Sequence, residues 1–101
     1  MAIGRLSAAQ IERLIGGLAG EPDRVLFTHH ARARMRQRQI TRGMVLDVLQ
    51  RGRLTRKPEP NLRYGTLECR MQRYLAGRQV AAVVAVADDD PLLVVVTVMD
   101  A

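Results

Sequence analysis

Cysteine, serine and lysine each occur once in this chain of 101 residues, and tryptophan not at all. A single cysteine, Cys69, permits no internal disulfide and no cysteine-based zinc site. The two histidines, His29 and His30, are adjacent and lack the spacing of a metal pair, so no metal site is expected. The lone serine, Ser7, stands where a helix cap is needed, which argues against a serine nucleophile. Gly16-Gly17 lies inside a helical pattern with no Lys-Ser or Lys-Thr after it, so there is no phosphate-binding glycine loop. Aromatic residues make up only 3%, and a core must come from Val, Leu, Ile, Ala and Met. The longest apolar runs, Val80–Ala87 and Leu92–Val96, are strand-sized and too short to span a membrane. Met1 to Gly20 shows no basic start followed by an apolar run, so neither a signal peptide nor a membrane partner is expected. A reduced, cytoplasmic setting is the simplest expectation.

What the chain does have is arginine. Fifteen arginines and one lysine against ten acids give a net charge of +6, and its distribution is uneven. Residues 1–23 carry two arginines against three acids, net −1. Residues 24–73 carry twelve arginines and Lys57 against Asp47, Glu59 and Glu68, net +10. Residues 74–101 carry Arg78 against four acids, net −3. A basic middle between neutral or acidic ends implies a localised positive surface, which attracts nucleic acid or another polyanion by counterion release. An acidic partner protein would satisfy it equally well.

The densest part is Thr28 to Ile40, with both histidines and four arginines. At about 100° per residue, His30, Arg34 and Arg38 fall along one flank of a helix and Arg32 and Arg36 along another. Ala31 and Met35 form a narrow apolar strip between the flanks. A histidine one turn from two guanidinium groups suits a phosphate. Arginine-rich helix faces are also commonly solvated, or paired with carboxylates and carbonyls, and both readings stay open.

Taken in order, Ser7 to Gln10 reads as a capping box opening a helix over 8–19, with Ile11, Leu14, Ile15 and Leu18 at helical spacing. Gly20-Glu21-Pro22 ends it. Arg24 to Thr28 reads as a strand or an extended lead-in, after which Thr28 or His29 caps the basic helix and puts His30 in its first turn. Thr41 caps another helix, Ile40 can staple onto Val45, and Met44, Val45, Val48 and Leu49 form the buried face that Gly52 terminates. From Arg53 the period is two. Arg53–Lys57 reads as a short edge strand stopped by Pro58 and Pro60. Tyr64 to Tyr74 alternates, with Leu67, Cys69 and Met71 on one face and Tyr64, Thr66, Glu68, Arg70, Gln72 and Tyr74 on the other. Ala76-Gly77-Arg78 reads as a turn, and 79–87 and 92–99 as central strands joined by an Asp88-Asp89-Asp90-Pro91 turn. The expected fold is α+β: N-terminal helices on a three- to four-stranded antiparallel meander in two layers, one domain over 1–101 with 1–23 as a leader.

The chemistry that fits is metal-free cleavage of RNA, with no cofactor. It needs an acid, a base and cations for the charged transition state. His30 can serve as acid or base, and Arg34, Arg38 and Arg70 can hold phosphoryl oxygens. Tyr64 or Tyr74 can stack a base or move a proton, while Arg32, Arg36 and Arg63 can follow the nucleic-acid backbone. A Cys69–His30 thiolate pair is disfavoured because Cys69 falls on the apolar side of its strand. Paired carboxylates are not evident.

The pattern Phe27-Thr28-x-His30-Ala31-x-x-Arg34-Met35-x-x-Arg38-x-Ile40 resembles the opening motif of a bacterial family, domain of unknown function 4258. Arg63-Tyr64, the two apolar strands and the ending Val95-Val96-Thr97-Val98 look like the same family, so the similarity covers residues 25–99. The resemblance implies a fold similar to the RelE, ParE and MqsR toxins, a small antiparallel sheet with helices on one side. It also implies a toxin of a toxin–antitoxin pair, with a zinc-finger antitoxin in some cases. Many such toxins cleave mRNA, some on the ribosome and without a metal, whereas ParE-like members poison gyrase, so fold alone does not settle activity. The positions matching the family's motif are His30, Arg34, Arg38, Tyr64 and Thr97, with Ala31, Met35 and Ile40 as packing positions.

The first expectation is therefore a toxin-like, metal-independent endoribonuclease acting on RNA, ribosome-bound mRNA included, and held in check by an antitoxin protein. The alternative is a non-catalytic basic module that binds nucleic acid or an acidic protein. A third reading has His30, Arg34 and Arg38 merely holding the helix to the sheet. Oligomeric state, a homodimer included, is left open.

Overall fold

Ser7 opens the first helix as its sequence predicts. In the computed structural model, which describes residues 5–87 and 92–101, its hydroxyl accepts from the Gln10 amide at 3.2 Å. Gln10 Oε1 in turn accepts the Ser7 N–H at 2.8 Å. Helix α1 (Ala8–Ala19) buries Ile11, Ile15, Leu18 and Ala19. A single 3-10 turn, Pro22–Arg24, leads into strand β1 (Val25–Phe27). Helices α2 (His29–Arg38) and α3 (Arg42–Arg51) follow, capped by Thr28 and Thr41. Then come β2 (Arg53–Leu54), β3 (Glu59–Asn61), β4 (Thr66–Leu75), β5 (Arg78–Ala87) and β6 (Leu93–Asp100).

The α+β class holds, but the sheet is neither a three- to four-stranded nor a purely antiparallel meander. It has six strands in the order β1-β6-β5-β4-β2, with β3 also on β4. β1 pairs parallel to β6, Val25 opposite Leu93 and Phe27 opposite Val95. The other pairings are antiparallel. Three-residue strands carry almost no periodic signal, so their partners are fixed by tertiary packing.

The expected 53–57 edge strand shrinks to Arg53–Leu54, although the Thr55 N–H still reaches the Arg70 carbonyl at 3.1 Å. Pairing resumes at Glu59–Asn61 despite Pro60, because β3 is an edge strand and has an outer side on which no N–H is needed. Asn61 Oδ1 accepts from the Arg63 and Tyr64 amides, which turns the chain, so β4 starts at Thr66 rather than Tyr64. The expected Asp88–Pro91 turn lies outside the described residues.

Helices α1 and α3 pack on one face of the sheet. Leu67, Cys69 and Met71 of β4 meet Ile11, Ile15, Val45, Val48 and Leu49 there, together with Val80, Ala82, Val84 and Val86 of β5. β4 thus obeys its predicted alternation. Gly52 ends α3 where expected, but for a steric reason. Its φ of −78° is open to any residue, whereas a Cβ would press on the Val48 and Gln72 carbonyl oxygens.

Strand β6 departs from regular pairing once. Val95 opposes Val84 and Thr97 opposes Val83, so Val96 is an extra residue in a bulge. The bulge lets both Val95 and Val98 face the core, which strict alternation forbids. Thr28 closes it. Its N–H donates to the Val95 carbonyl (3.1 Å), its hydroxyl donates to the Val96 carbonyl (3.0 Å), and the same hydroxyl accepts from the Ala31 amide (3.0 Å).

At the other end of α2, Gln39 is left-handed (φ 54°), and Ile40 N–H returns to the Met35 carbonyl at 2.9 Å in a Schellman arrangement. Ile40 is then buried in the core.

Two stability effects follow. Thr28→Val, which keeps the shape and removes the hydroxyl, lowers stability by about 1–2 kcal/mol, while Thr28→Ser retains most of it. Gln39→Gly relieves a left-handed side-chain conformation and raises stability by about 0.5–1 kcal/mol. Urea midpoints at constant m-value measure both.

Candidate nucleic-acid interface

The sequence from Arg24 to Leu46 contains no acidic residue. None of the basic side chains of α2 therefore has a carboxylate at helical spacing. The pairs Arg32/Arg36 and Arg34/Arg38 stand one turn apart, like charges that cost a helix about 0.2–0.5 kcal/mol each. Only Ala31 of α2 is fully buried, with Met35 partly so. His29, His30, Arg32, Arg36, Gln37 and Arg38 are exposed. Arg34 is half-buried, and its Nη1 meets Gln37 Oε1 at 3.5 Å within the helix. Among the described residues the side chains of His30 and Arg38 bond to nothing.

The helix is instead held by its ends. Thr28 anchors the first turn, placing His30 at the second helical position. Arg78 anchors the last turn: Nη2 donates to the Arg38 carbonyl (2.7 Å) and Nη1 to that of Gln39 (3.4 Å). Its Nε also bonds Asp100 Oδ1 at 2.7 Å. A guanidinium there suits the negative end of the helix dipole. Arg42 lies over the Phe27 ring, 4.8 Å from its centroid. The sequence reading missed Arg78, whose only outward signal is being the one basic residue in the acidic last segment. It also missed Glu12, which accepts the Leu54 amide at 2.8 Å and ties α1 to β2. Arg73, on the helix side of β4, reaches Asp47 of α3 at 3.4 Å.

The second group of candidates lies on the sheet face turned away from α1 and α3. Arg70 of β4 stands opposite Val83 of β5, which stands opposite Thr97 of β6, so the three form one row. The Arg70 Nε is buried without a hydrogen-bond partner. Tyr74 is 63% exposed near the end of β4. Tyr64 is 67% exposed in the turn before β4, next to a fully displayed Leu62 and with the Arg63 guanidinium 5.3 Å from its ring centroid.

These positions do not converge. Along β4, Thr66 and Tyr74 are separated by about 26 Å, which puts Arg63 and Tyr64 at one end of the sheet and Tyr74 at the other. α2 starts beside Val96, at the level of the Arg70 row, and ends beside Arg78 and Asp100, at the Tyr74 end. Arg70 lies two strand spacings, about 10 Å, from β6, on the sheet face opposite the core that Ala31 and Met35 of α2 join. Among the described residues no hydrogen bond, ion pair or ring contact joins the α2 candidates to Arg70, Tyr64 or Tyr74.

Two grooves among the described residues lie away from these candidates. One, of about 510 Å³, runs between α1 and residues 54–58 and is lined by Leu6, Ile11, Leu54, Arg56, Lys57 and Leu67. Another, of about 470 Å³, is bordered by Glu12, Arg13, Gln50 and Arg51. On α2 the candidates form a mostly exposed basic surface.

Cys69 is fully buried on the core side, and burial first, the Glu68 carboxylate second, push its thiol up to about 11. A neutral thiol behind the sheet is no partner for His30. Among the described residues no group of three or more His, Cys, Asp or Glu is arranged to hold a metal ion, and no helix is long and apolar enough to cross a membrane.

A basic, end-anchored helix beside a bulged strand of a mixed sheet is thus the feature that sets this chain apart. The family model described as Domain of unknown function (DUF4258) matches residues 27–100, and the chain belongs to that family. The match begins at Phe27, so α1 and the 3-10 turn precede it. No curated protein and no solved structure matches the chain.

The state of Cys69 has a pH signature. Its thiol has an ordinary value of 9.0 and is pushed up to about 11 by burial when folded. The folded state therefore binds more protons in between, and stability is lost as pH rises from 9 towards 11, by up to about 3 kcal/mol. Denaturation curves across that range show the loss, with a shallower fall in Cys69→Ala.

Proposed function

We propose that this chain is a toxin-like, metal-independent endoribonuclease with a RelE-like arrangement of helices on a sheet, working in the cytoplasm and restrained by an antitoxin protein. The observation that supports it best is α2: its histidines and arginines stand on the surface with no carboxylate partner, although like charges one turn apart weaken the helix. Such a surface serves a polyanion better than it serves the fold.

In this reading an RNA strand lies along the His30 flank, with its phosphate oxygens on Arg34 and Arg38, and Arg70, on the other sheet face, takes a phosphate further along the strand. Arg32, Arg36 and Arg63 follow the backbone, and Tyr64 and Tyr74 offer rings to unstacked bases. Imidazole is the side chain suited to moving protons near neutral pH. His30 removes the 2′-hydroxyl proton, or protonates the leaving 5′-oxygen, as the 2′-oxygen attacks phosphorus. The products are a 2′,3′-cyclic phosphate and a 5′-hydroxyl end. The arginines carry the charge that builds on the phosphoryl oxygens. An acidic antitoxin segment laid over α2 would block the same surface.

A non-catalytic binding module is the second reading, favoured by the spread of His30, Arg70, Tyr64 and Tyr74, which no hydrogen bond, ion pair or ring contact joins among the described residues. A purely structural role for the α2 side chains gains nothing from the hydrogen bonds, since Arg34 bonds only within its own helix.

Incubation of the protein with mixed-sequence RNA in excess EDTA, alone and with ribosomes, separates these readings. Cyclic-phosphate ends from the wild type, lost in a folded His30→Ala variant, are the expected result. Intact RNA in both settings, with RNA affinity retained, sinks the enzyme and leaves the binding module.

A further inference from the structure

We infer that the outward side of α2 is built to lie in the major groove of double-stranded B-form DNA. The buried strip of α2 is Ala31 and Met35. The side opposite is centred on Ala33, with His29 and Gln37 about one turn before and after it along the same line. Arg32 and Arg36 border that line on one side, and His30 and Arg34 on the other. The midpoint of that line is thus the small, uncharged Ala33, and each margin carries arginine. A helix lying in a duplex groove needs this arrangement: no bulk where the backbone approaches the base edges, and cations where the two phosphate strands pass on either side.

The dimensions decide which duplex. A helix with its side chains is about 10–12 Å across, and the B-form major groove is about 12 Å wide. The major groove of A-form RNA is deep and too narrow to admit side chains, so a helix that enters a groove selects DNA. The ten residues of α2 span about 15 Å, or four to five base pairs. The helix is free to enter. It packs on the body along β6, His29, His30, Arg32, Arg36 and Gln37 are exposed with Ala33 and Arg34 half-buried among them, and Arg24 to Leu46 offers no acid to repel a phosphate. Gln37, near the centre line, carries an amide that can both donate to and accept from a base edge.

This function goes beyond RNA cleavage: it turns the same basic residues of α2, His30, Arg32, Arg34 and Arg36, toward a duplex, without Arg38, Arg70 or the tyrosines. The test is fluorescence anisotropy of the intact chain with a labelled mixed-sequence DNA duplex, the matching RNA duplex and the single-stranded RNA, each across a KCl series. The DNA duplex is expected to bind at least about tenfold more tightly than either RNA at about 100 mM salt. Arg32→Ala and Arg36→Ala should each reduce the log–log salt slope by about one, and Ala33→Glu should abolish duplex binding. Circular dichroism and the melting temperature check that the variants fold. Equal or tighter binding to RNA, or salt slopes unmoved in the folded arginine variants, overturns the inference. The two proposals fail separately: cleavage that depends on His30 with no preference for DNA removes only this one, and DNA binding without cleavage removes only the ribonuclease.

Discussion

One hydroxyl group ties the start of the basic helix to the sheet. Thr28 Oγ1 donates to the carbonyl that the β6 bulge leaves unpaired at Val96, and accepts from an amide that the start of α2 leaves unpaired at Ala31. Each group alone would be an uncompensated polar atom beside the core. Together they cancel, and the geometry of one fixes the other. The bulge sets where α2 begins, so it sets which residues the helix turns outward. Thr28 also continues the parallel β1–β6 pairing through its own N–H, so strand, bulge and helix meet in a single residue.

The charge of α2 is tolerated because stabilisation sits at its ends. Nothing along its length offsets the repulsion among its arginines, but Arg78 reaches across from β5 to the Arg38 and Gln39 carbonyls and holds Asp100 as well. Ile40 then plugs into the core immediately after the turn. A helix fixed in this way keeps its outer surface free of compensating acids. That freedom suits a surface meant for a large anion.

Much of this was legible locally. Ser7, Thr28 and Thr41 announce helix starts because a capping hydroxyl acts within three residues, and Leu67, Cys69 and Met71 announce the buried side of β4 because side chains alternate. The His30–Arg34–Arg38 flank was equally readable, since helical spacing is a property of the segment itself. Non-local relations were not. Val25–Phe27 could not reveal that its partner is β6, and β2 and β3 are too short to show a period. The Val96 bulge has no signature in a run of valines. Arg78, Glu12 and Arg73 find partners 22 or more residues away. For the candidate site the same divide applies. The residue types were plain, but the separation of Tyr64 from Tyr74 follows from strand length and the Asn61 turn, which only the fold reveals.

The pairing of β1 with β6 has a consequence for the order of assembly. Phe27 meets Val95, and every other strand lies between them in the chain. β4 and β5 can pair as a hairpin as soon as they leave the ribosome. β1 and α2 have no seat until β6 has been synthesised. Contacts of such long sequence separation form late and slowly. During that interval the arginine-rich segment is an unanchored cationic chain close to ribosomal RNA, and pairing with β6 is what turns it into an ordered surface.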